Sequence, residues 1–409
     1  MRVLASSAPS VACAVGLLAC VSSAQDTRRF DLDELGRDTS GACPSGDPSD
    51  SNDDTAAIAC FLSLCADRAA VLHVPSGTYT ITQPLKLPQG CSIQGDGDRS
   101  TIFQRNLPVF ASAPLLEVHN NTTVRGIRFD QEQPDPIPGW SPYVYGPTLH
   151  AVGDDILVEN VLFFRAYSAI RLAPVSPQGS VGRILVRNVR AHSFHRGIVV
   201  DRARDVVRLE QLHFWPFSDG GTGHALEWTK KHGIAIESLW NDNPFLTNVF
   251  AFGYSTGVEF GSSGCADCVT SKAKVVNFDA DVCGRGVAIT GPGTRGLMIT
   301  NMSYQGEEGR TSIPILVTGD FIWLAVSQLD VQHASESAIR VEASATRSFV
   351  SVSQAMIRGY DRTGTRQPAF DNVAQKTRLW VRESYLRRGW VINPCRGASS
   401  CEVEFDNEL

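Results

Sequence analysis

The sequence has no hydrophobic run long enough to cross a membrane once its first 24 residues are set aside. A membrane-spanning helix needs about 20 consecutive apolar residues, so we expect no membrane span. The chain also lacks any run of lysines and arginines, and its formal net charge is -6 over 409 residues. Nucleic-acid-binding domains concentrate positive charge on one face, so nucleic acid is not an expected partner.

The cysteines lack the spacing of a zinc site. Cys265 and Cys268 form one CxxC pair near Cys283, but there is no second pair and no histidine at zinc-ligand spacing. Zinc is usually held by four such ligands. We therefore expect a disulfide and one spare thiol in place of a metal or redox centre, and no cofactor is predicted.

The N-terminal region has the pattern of an export signal. In residues 1–24, Arg2 precedes an apolar segment from Val11 to Cys20, and Ser22-Ser23-Ala24 offers a cleavage site of small residues. The run Leu17-Leu18-Ala19-Cys20 also fits a lipoprotein signal. We predict a secreted, extracellular protein, with a periplasmic or lipid-anchored location as the alternatives.

Of the 11 cysteines, two fall within residues 1–24, which leaves nine in the mature chain. In an exported protein we expect most of them to form disulfides. The first four can pair in three ways, of which Cys43–Cys60 with Cys65–Cys91 is favoured. Cys395 and Cys401 are expected to close the C-terminal segment.

One short pattern recurs through the centre of the chain. An apolar-polar alternation leads each time into Asn or Gln, at steps of 23 to 37 residues. The recurring amides are Asn160, Asn188, Gln211, Asn248, Asn277, Asn301, Gln328 and Gln354. Periods of this length indicate a solenoid, and alternation indicates strands. Amides stacked from coil to coil can hydrogen-bond to one another, so we expect them at an inward turn.

These features predict an all-β, single-stranded parallel β-helix of about ten coils. Asp53-Asp54-Thr55 begins a short helix that runs to about Ala66 and is expected to cap the open end. We divide the chain into a signal peptide (1–24), an N-terminal arm (25–52), the β-helix domain (53–390) and a C-terminal tail (391–409). β-Helices of this kind occur as monomers or side-by-side homotrimers, and both are considered.

Three N-terminal segments resemble pectate-lyase-like right-handed parallel β-helix proteins, including family-28-related glycoside hydrolases and phage tailspikes. They are Asp53-Asp54-Thr55-Ala56-Ala57-Ile58, Val74-Pro75-Ser76-Gly77-Thr78-Tyr79 and Leu87-Pro88-Gln89-Gly90-Cys91-Ser92-Ile93-Gln94-Gly95. The resemblance covers residues 53–105 and implies the fold. It implies a carbohydrate substrate without fixing the reaction. The polygalacturonase signatures do not occur together, and Gly223-His224-Ala225 is only a fragment of one.

Alternation assigns the faces of the coils. The first and third residues after each amide are mostly apolar and should point inward, so the second and fourth should point outward. Neighbouring coils lie about 4.8 Å apart. The outward residues should then form one strip: Arg190, His192, His213, Trp215, Phe250, Phe252, Asp279 and Asp281. Aromatic rings beside polar groups suit a sugar chain, so a polysaccharide is the expected partner.

Asp279 and Asp281 are the favoured acid and base. Two residues apart on one strand face, their Cβ atoms would lie about 6.6 Å apart, near the separation in inverting glycosidases. The same pair could instead hold Ca²⁺ in a lyase, with Arg190, Lys230 or a histidine as the base. A further alternative is that Asp279 and Asp281 are ordinary solvated surface residues without a catalytic role. His192 and His213 are candidates for proton transfer.

A long insertion, residues 217–242, supplies further candidates because function often lies in loops on a repeat scaffold. Glu227 and Lys230 are expected to bind substrate. Asp242, Glu227 and Asp219 are spare acids or bases, and Asp242 could form the catalytic pair with Asp279 or Asp281. A second insertion, 131–147, is rich in proline and aromatic residues. The sequence therefore predicts an enzyme that hydrolyses a polysaccharide. The alternatives are a lyase acting on a uronic-acid polymer and a non-catalytic glycan-binding spike or adhesin.

Overall fold

A computed structural model describes residues 28–48, 52–66, 69–105, 112–217, 223–265, 267–364, 366–386 and 405–406. The predicted signal peptide, Asp219, Cys395 and Cys401, and all of the predicted tail except residues 405–406, lie outside the described residues.

The described chain consists almost entirely of short strands. In chain order they are β1 (Arg28–Asp31), β2 (Ala70–Val74), β3 (Gly77–Thr80), β4 (Leu85–Leu87), β5 (Cys91–Gly95), β6 (Thr101–Arg105), β7 (Leu116–Val118), β8 (Thr122–Arg125), β9 (Arg128–Gln131), β10 (Pro147–Ala151), β11 (Ile156–Leu172), β12 (Ile184–Val200), β13 (Val207–Phe214), β14 (Ile234–Ser238), β15 (Phe245–Phe252), β16 (Thr256–Phe260), β17 (Lys274–Asp281), β18 (Arg285–Ile289), β19 (Leu297–Gln305), β20 (Ile313–Val317), β21 (Trp323–His333), β22 (Ile339–Val341), β23 (Phe349–Ile357), β24 (Phe370–Asn372), β25 (Arg378–Arg382), β26 (Tyr385–Leu386) and β27 (Phe405–Asp406). The helices are α1 (Leu35–Asp38), α2 (Thr55–Cys65) and α3 (His224–His232).

The strands stack in parallel, coil upon coil. One continuous sheet runs from β1 through β2, β5, β8, β11, β12, β13, β15, β17, β19, β21, β23 and β25 to β27. A second stack runs from β4 through β7, β10, the later parts of β11 and β12, and then β14, β16, β18, β20 and β22 to β24. The predicted right-handed parallel β-helix is confirmed.

The space between the stacks is filled by the inward side chains of successive coils. The rings of Tyr79, Phe103, Phe129 and Phe163 follow one another with centroid distances of 6.2, 5.8 and 5.3 Å. The predicted inward positions are buried; Phe278 and Ala280 of β17, for example, are at most 1% exposed. Helix α2 lies at the N-terminal end, where Ile58 and Phe61 are buried. In the predicted arm, β1 pairs with β2.

The amide ladder exists, but it faces outward. Asn277 donates to Asn248 at 2.8 Å, Asn301 donates to Asn277 at 2.8 Å, and Asn188 donates to Asn160 at 2.6 Å. All eight ladder residues are exposed and have positive φ, between 49° and 56°. The predicted inward position is therefore wrong, including for Asn301. The chain bends there in the left-handed conformation, which Asn tolerates better than most residues, and the bend turns the amide away from the core.

Disulfides lie where the sequence indicates them. Cys43 is bonded to Cys60, Cys65 to Cys91, and Cys265 to Cys268. Cys283 is a buried free thiol. The described helices include none that is long and apolar enough to cross a membrane.

Candidate functional site

The outward strip has the predicted register. Arg190 pairs with His213, His213 with Phe250, and Phe250 with Asp279 on neighbouring strands. Phe252 pairs with Asp281 in the same way. These side chains therefore lie in columns along the helix axis, one coil apart, and we call them, with Trp215, the strip.

The middle of the strip is a cluster of half-buried aromatic rings. The ring centroid of Trp215 lies 4.3 Å from that of Phe252 and 6.2 Å from that of Phe250. The His213 ring lies 5.1 Å from Phe250 and 5.3 Å from Phe217. Burial, followed by the positive charge of Arg190, lowers the pKa of His213. These surroundings favour the neutral imidazole, and Arg190 itself is hydrogen-bonded to Asp98.

The two carboxylates beside this cluster differ in their surroundings. Asp279 is exposed. Asp281 is half-buried, and its Oδ1 is buried without a hydrogen-bond partner among the described residues. Burial raises the pKa of Asp281, the Val282 N–H opposes that rise, and the charge of Asp279 adds to it. A half-buried carboxyl group with a raised pKa beside one that faces water has the arrangement of a general acid and base.

His192 does not face outward, which corrects the prediction. Its side chain is buried, and its ring packs against Phe194 at 4.8 Å and Phe164 at 6.4 Å. The insertions cover this region, because Trp140 and the helix residues Ala225 and Trp228 form an apolar cluster with Phe194. Burial, with Arg165 nearby, lowers the pKa of His192 to about 3.

Asp242 lies away from the strip. It forms a bridge with Ser271, which precedes Asp279 by eight residues on the same coil, and it faces a separate cavity of about 400 Å³. Lys272 lies 2.9 Å from its Oδ1, and that hydrogen bond lowers the pKa of Asp242 despite partial burial. The idea that Asp242 works with Asp279 or Asp281 is therefore wrong.

Glu227 and Lys230 lie on α3, where they line a cavity of about 610 Å³ next to the strip. We call it the helix cavity. Its other walls come from Trp140 and Trp228, from residues 282–284 directly after Asp281, and from Glu307 and residues 310–312. Helix α3 packs closely against the strip at Gly253, the residue after Phe252. A Cβ on Gly253 would lie only 2.4 Å from the Leu226 side chain, so glycine permits this contact.

Four charged side chains connect α3 to the opposite wall of the helix cavity. Lys230 Nζ lies 2.7 Å from Glu307 Oε1 and 3.2 Å from Glu227 Oε1. Arg310 Nε lies 2.7 Å from Glu307 Oε2, and its guanidinium also bonds Glu227. Sequence reasoning missed Glu307 and Arg310. Their signal was the charged run directly after Gln305, the residue that pairs with Asp281.

The described residues contain no group of three or more His, Cys, Asp and Glu side chains arranged to hold a metal ion. The strip offers two carboxylates, Asp279 and Asp281. By themselves they supply fewer oxygen ligands than the six to eight that Ca²⁺ takes.

Comparison with known proteins supports the fold. Residues 38–127 match the family described as rhamnogalacturonase A/epimerase, pectate lyase-like. No curated protein matches the chain in sequence.

Three solved structures illustrate the likeness. The catalytic unit of a thermostable GH87 α-1,3-glucanase from Streptomyces thermodiastaticus strain HF3-3 gives a TM-score of 0.62 at 13% identity, over 93% of this chain and 68% of that one. Pre-mature bacteriophage phi29 gene product 12 gives a TM-score of 0.59 at 12% identity, over 91% of this chain and 51% of that one. PfbA, a surface adhesin of Streptococcus pneumoniae, gives a TM-score of 0.57 at 10% identity, over 92% of this chain and 91% of that one. At such identities the likeness shows the fold alone.

Proposed function

We propose that this chain, which has the pectate-lyase-like parallel β-helix fold, is a secreted glycoside hydrolase that binds a polysaccharide along the strip and cleaves it at Asp279 and Asp281. One observation carries the proposal: two outward carboxylates share a face of β17, and only one of them, Asp281, is half-buried with a raised pKa. The aromatic cluster lies directly beside them.

In this reaction Asp281 donates its proton to the oxygen of the glycosidic bond as that bond breaks. The exposed Asp279 acts as the base and takes a proton from a water molecule whose oxygen attacks the anomeric carbon. The two Cβ atoms lie about 6.6 Å apart along the strand, which is near the spacing that leaves room for this water in an inverting hydrolase. Water is consumed, and one new reducing end forms.

The strip would bind the sugar chain by stacking and hydrogen bonding. The C–H faces of sugar rings pack on Trp215, Phe250 and Phe252, whereas Arg190 and neutral His213 meet hydroxyl groups. Glu227 and Lys230 are expected to contact parts of the substrate that reach the helix cavity. The family match and the printed titles of the hydrolase structures favour a carbohydrate substrate.

Charge favours hydrolysis over elimination from a uronic-acid polymer. Elimination needs a cation near the substrate carboxylate, and the strip's cation, Arg190, is paired with Asp98. Asp279 has no ion-pair partner among the described residues, and its carboxylate would repel a polyanion.

A binding role without catalysis is the second candidate. The observation that favours it is that the chain matches a surface adhesin over nearly the full length of both. Such a spike would bind glycan without releasing product, and Asp279→Asn or Asp281→Asn would leave its binding largely unchanged.

Digestion of a panel of polysaccharides, followed by mass spectrometry, tests the proposal. Hydrolysis gives products that each carry one added water. Elimination gives products that lack it and absorb in the ultraviolet. The wild type should yield hydrolytic products, and Asp279→Asn and Asp281→Asn should not. Binding without any product would overturn the hydrolase in favour of the spike.

Export is proposed on the disulfides. Cys43–Cys60, Cys65–Cys91 and Cys265–Cys268 need an oxidising compartment to persist. Whether the protein is a monomer or a homotrimer stays a prediction.

A further inference from the structure

The outward column that contains Asp279 continues for several coils beyond it. Asp279 pairs with Ser303, Ser303 with Asp330, Asp330 with Met356, and Met356 with Tyr385. Glu383 lies two positions before Tyr385 and one coil beyond Gln354. Its φ is positive, as in the ladder residues, so the chain bends there in the same way. The same coil geometry therefore positions Tyr385 and Phe250 on opposite sides of Asp279.

The far end of this column is apolar and exposed. Met356 is 45% exposed and Tyr385 is 49% exposed. Contiguous exposed apolar patches mark ligand-binding grooves and interaction sites, and Met356 and Tyr385 are neighbours on adjacent coils. Between them and the carboxylates lie Gln305, His333 and the pair Arg358–Asp330, whose Nη2 and Oδ2 are 2.5 Å apart. We call Met356, Tyr385 and these polar groups the far platform.

We propose that the far platform binds the polysaccharide on the side of the scissile bond opposite the aromatic cluster, so that the protein cleaves within chains and not from their ends. This inference rests on the proposed function. Tyr385 lies four coils from Asp279 and Arg190 three, which correspond to about 19 Å and 14 Å at 4.8 Å per coil. A sugar chain that lies along this column extends past the carboxylates in both directions.

The chemistry of the far platform matches that of the aromatic cluster. A ring and a thioether give flat apolar contact to the faces of sugar rings, and Gln305, His333 and the Arg358–Asp330 pair supply donors and acceptors for hydroxyl groups. The net charge of the Arg358–Asp330 pair is zero, so this part of the column suits an uncharged sugar.

Chain-length dependence of binding tests the inference. The probes are size-graded α-1,3-gluco-oligosaccharides, from disaccharide to decasaccharide, titrated into the inactive Asp279→Asn protein by calorimetry. In that background Tyr385→Ala should weaken binding of the longest oligosaccharides by roughly five- to tenfold, the worth of one aromatic contact. It should leave the shortest ones unchanged.

Trp323→Ala is the matched control. Trp323 is 55% exposed, but it precedes the bend at Gln328 and belongs to another face of the coil. Its loss should change binding at no length. With active protein and an end-labelled decasaccharide, the wild type should cut internal linkages, and Tyr385→Ala should shift the cuts towards one end.

The outcomes separate the two proposals. Equal affinity of the Tyr385→Ala and unmodified proteins at every length, or release of sugars only from chain ends, overturns the far platform while cleavage at Asp279 and Asp281 stands. If the wild type neither binds nor cleaves any probe or panel polysaccharide, the proposed function fails and the far platform fails with it.

Discussion

Asp281 lies two residues after Asp279 on the outward face of β17, and its Oδ1 is buried while Asp279 is exposed. The pair therefore places one carboxyl group that favours its proton next to one in contact with water. Small differences in burial separate the roles of two identical side chains in this way.

We expect kcat/KM to fall as the pH rises through the raised pKa of Asp281, because the general acid must be protonated. Asp281→Asn should lower kcat by about 10²- to 10⁴-fold and remove that basic limb. Asp279→Asn, which removes the proposed base, should lower kcat as well. Asp242→Asn, at the separate cavity, should leave the pH profile of oligosaccharide hydrolysis as in the wild type. A profile that is unchanged in Asp281→Asn would contradict the assignment.

Asp281→Asn should also stabilise the protein at neutral pH. Because the folded-state pKa of Asp281 is raised, its favourable contribution is present below the unfolded pKa, about 3.9, and is lost as the pH rises through the folded value. At neutral pH the wild type holds a half-buried charge that Asp281→Asn lacks. The Tm of the variant should therefore exceed that of the wild type at pH 7, and the gain should vanish near pH 3. A lower Tm for the variant at pH 7 would argue against a raised pKa.

Trp215→Ala tests the aromatic cluster. The Trp215 ring lies 4.3 Å from that of Phe252 and is half-buried, so it presents a flat surface and supports its neighbour. We expect KM for the polysaccharide to rise about tenfold, with a smaller change in kcat, because stacking acts on bound substrate and transition state alike. Trp323→Ala is again the control. A fall in kcat at constant KM would assign Trp215 a part in the chemistry.

Two substitutions of Asn277 should separate the contributions of backbone strain and hydrogen bonding to the stability of the amide ladder. Asn277 accepts a hydrogen bond from Asn301 and donates one to Asn248, at a φ of 55°. Asn277→Gly keeps the bend and should cost about 1 kcal/mol of unfolding free energy for the lost hydrogen bonds. Asn277→Val adds the left-handed penalty of a β-branched residue, about 1–2 kcal/mol more. Guanidinium denaturation measures both. If the two variants proved equally stable, the bend would impose no strain.

The sequence was sufficient to predict the strip because a parallel β-helix repeats at a constant rise. Once the amides are aligned, alternation assigns His213, Phe250 and Asp279 to one face, and the structure pairs them in that order. The orientation of the amides was wrong because alternation does not reveal a left-handed bend. His192 was misassigned because its burial depends on Trp140 and α3, which lie in non-periodic insertions. Contacts made by such segments, such as that of Lys230 with Glu307, cannot be predicted from the repeat because these segments do not follow it.

Lys230 should anchor α3 to the opposite wall of the helix cavity. Its side chain is 7% exposed and its Nζ lies 2.7 Å from Glu307 Oε1. Lys230→Met would remove a buried charge from between two glutamates. We expect a loss of about 1–2 kcal/mol in unfolding free energy, less than for a fully buried pair, because Glu227 and Glu307 are partly exposed. Urea denaturation followed by tryptophan fluorescence measures this loss.

The neighbouring lysine gives the matched comparison. Lys231 is exposed and forms no ion pair among the described residues, so Lys231→Met should change stability by less than about 0.5 kcal/mol. Adding Glu307→Gln to Lys230→Met should recover part of the loss, because it removes the carboxylate left without Lys230. Equal effects of the two lysine variants, or no recovery in the double variant, would show that the ion pairs do not hold α3 in place. The helix cavity would then need another source of rigidity to contribute to substrate binding.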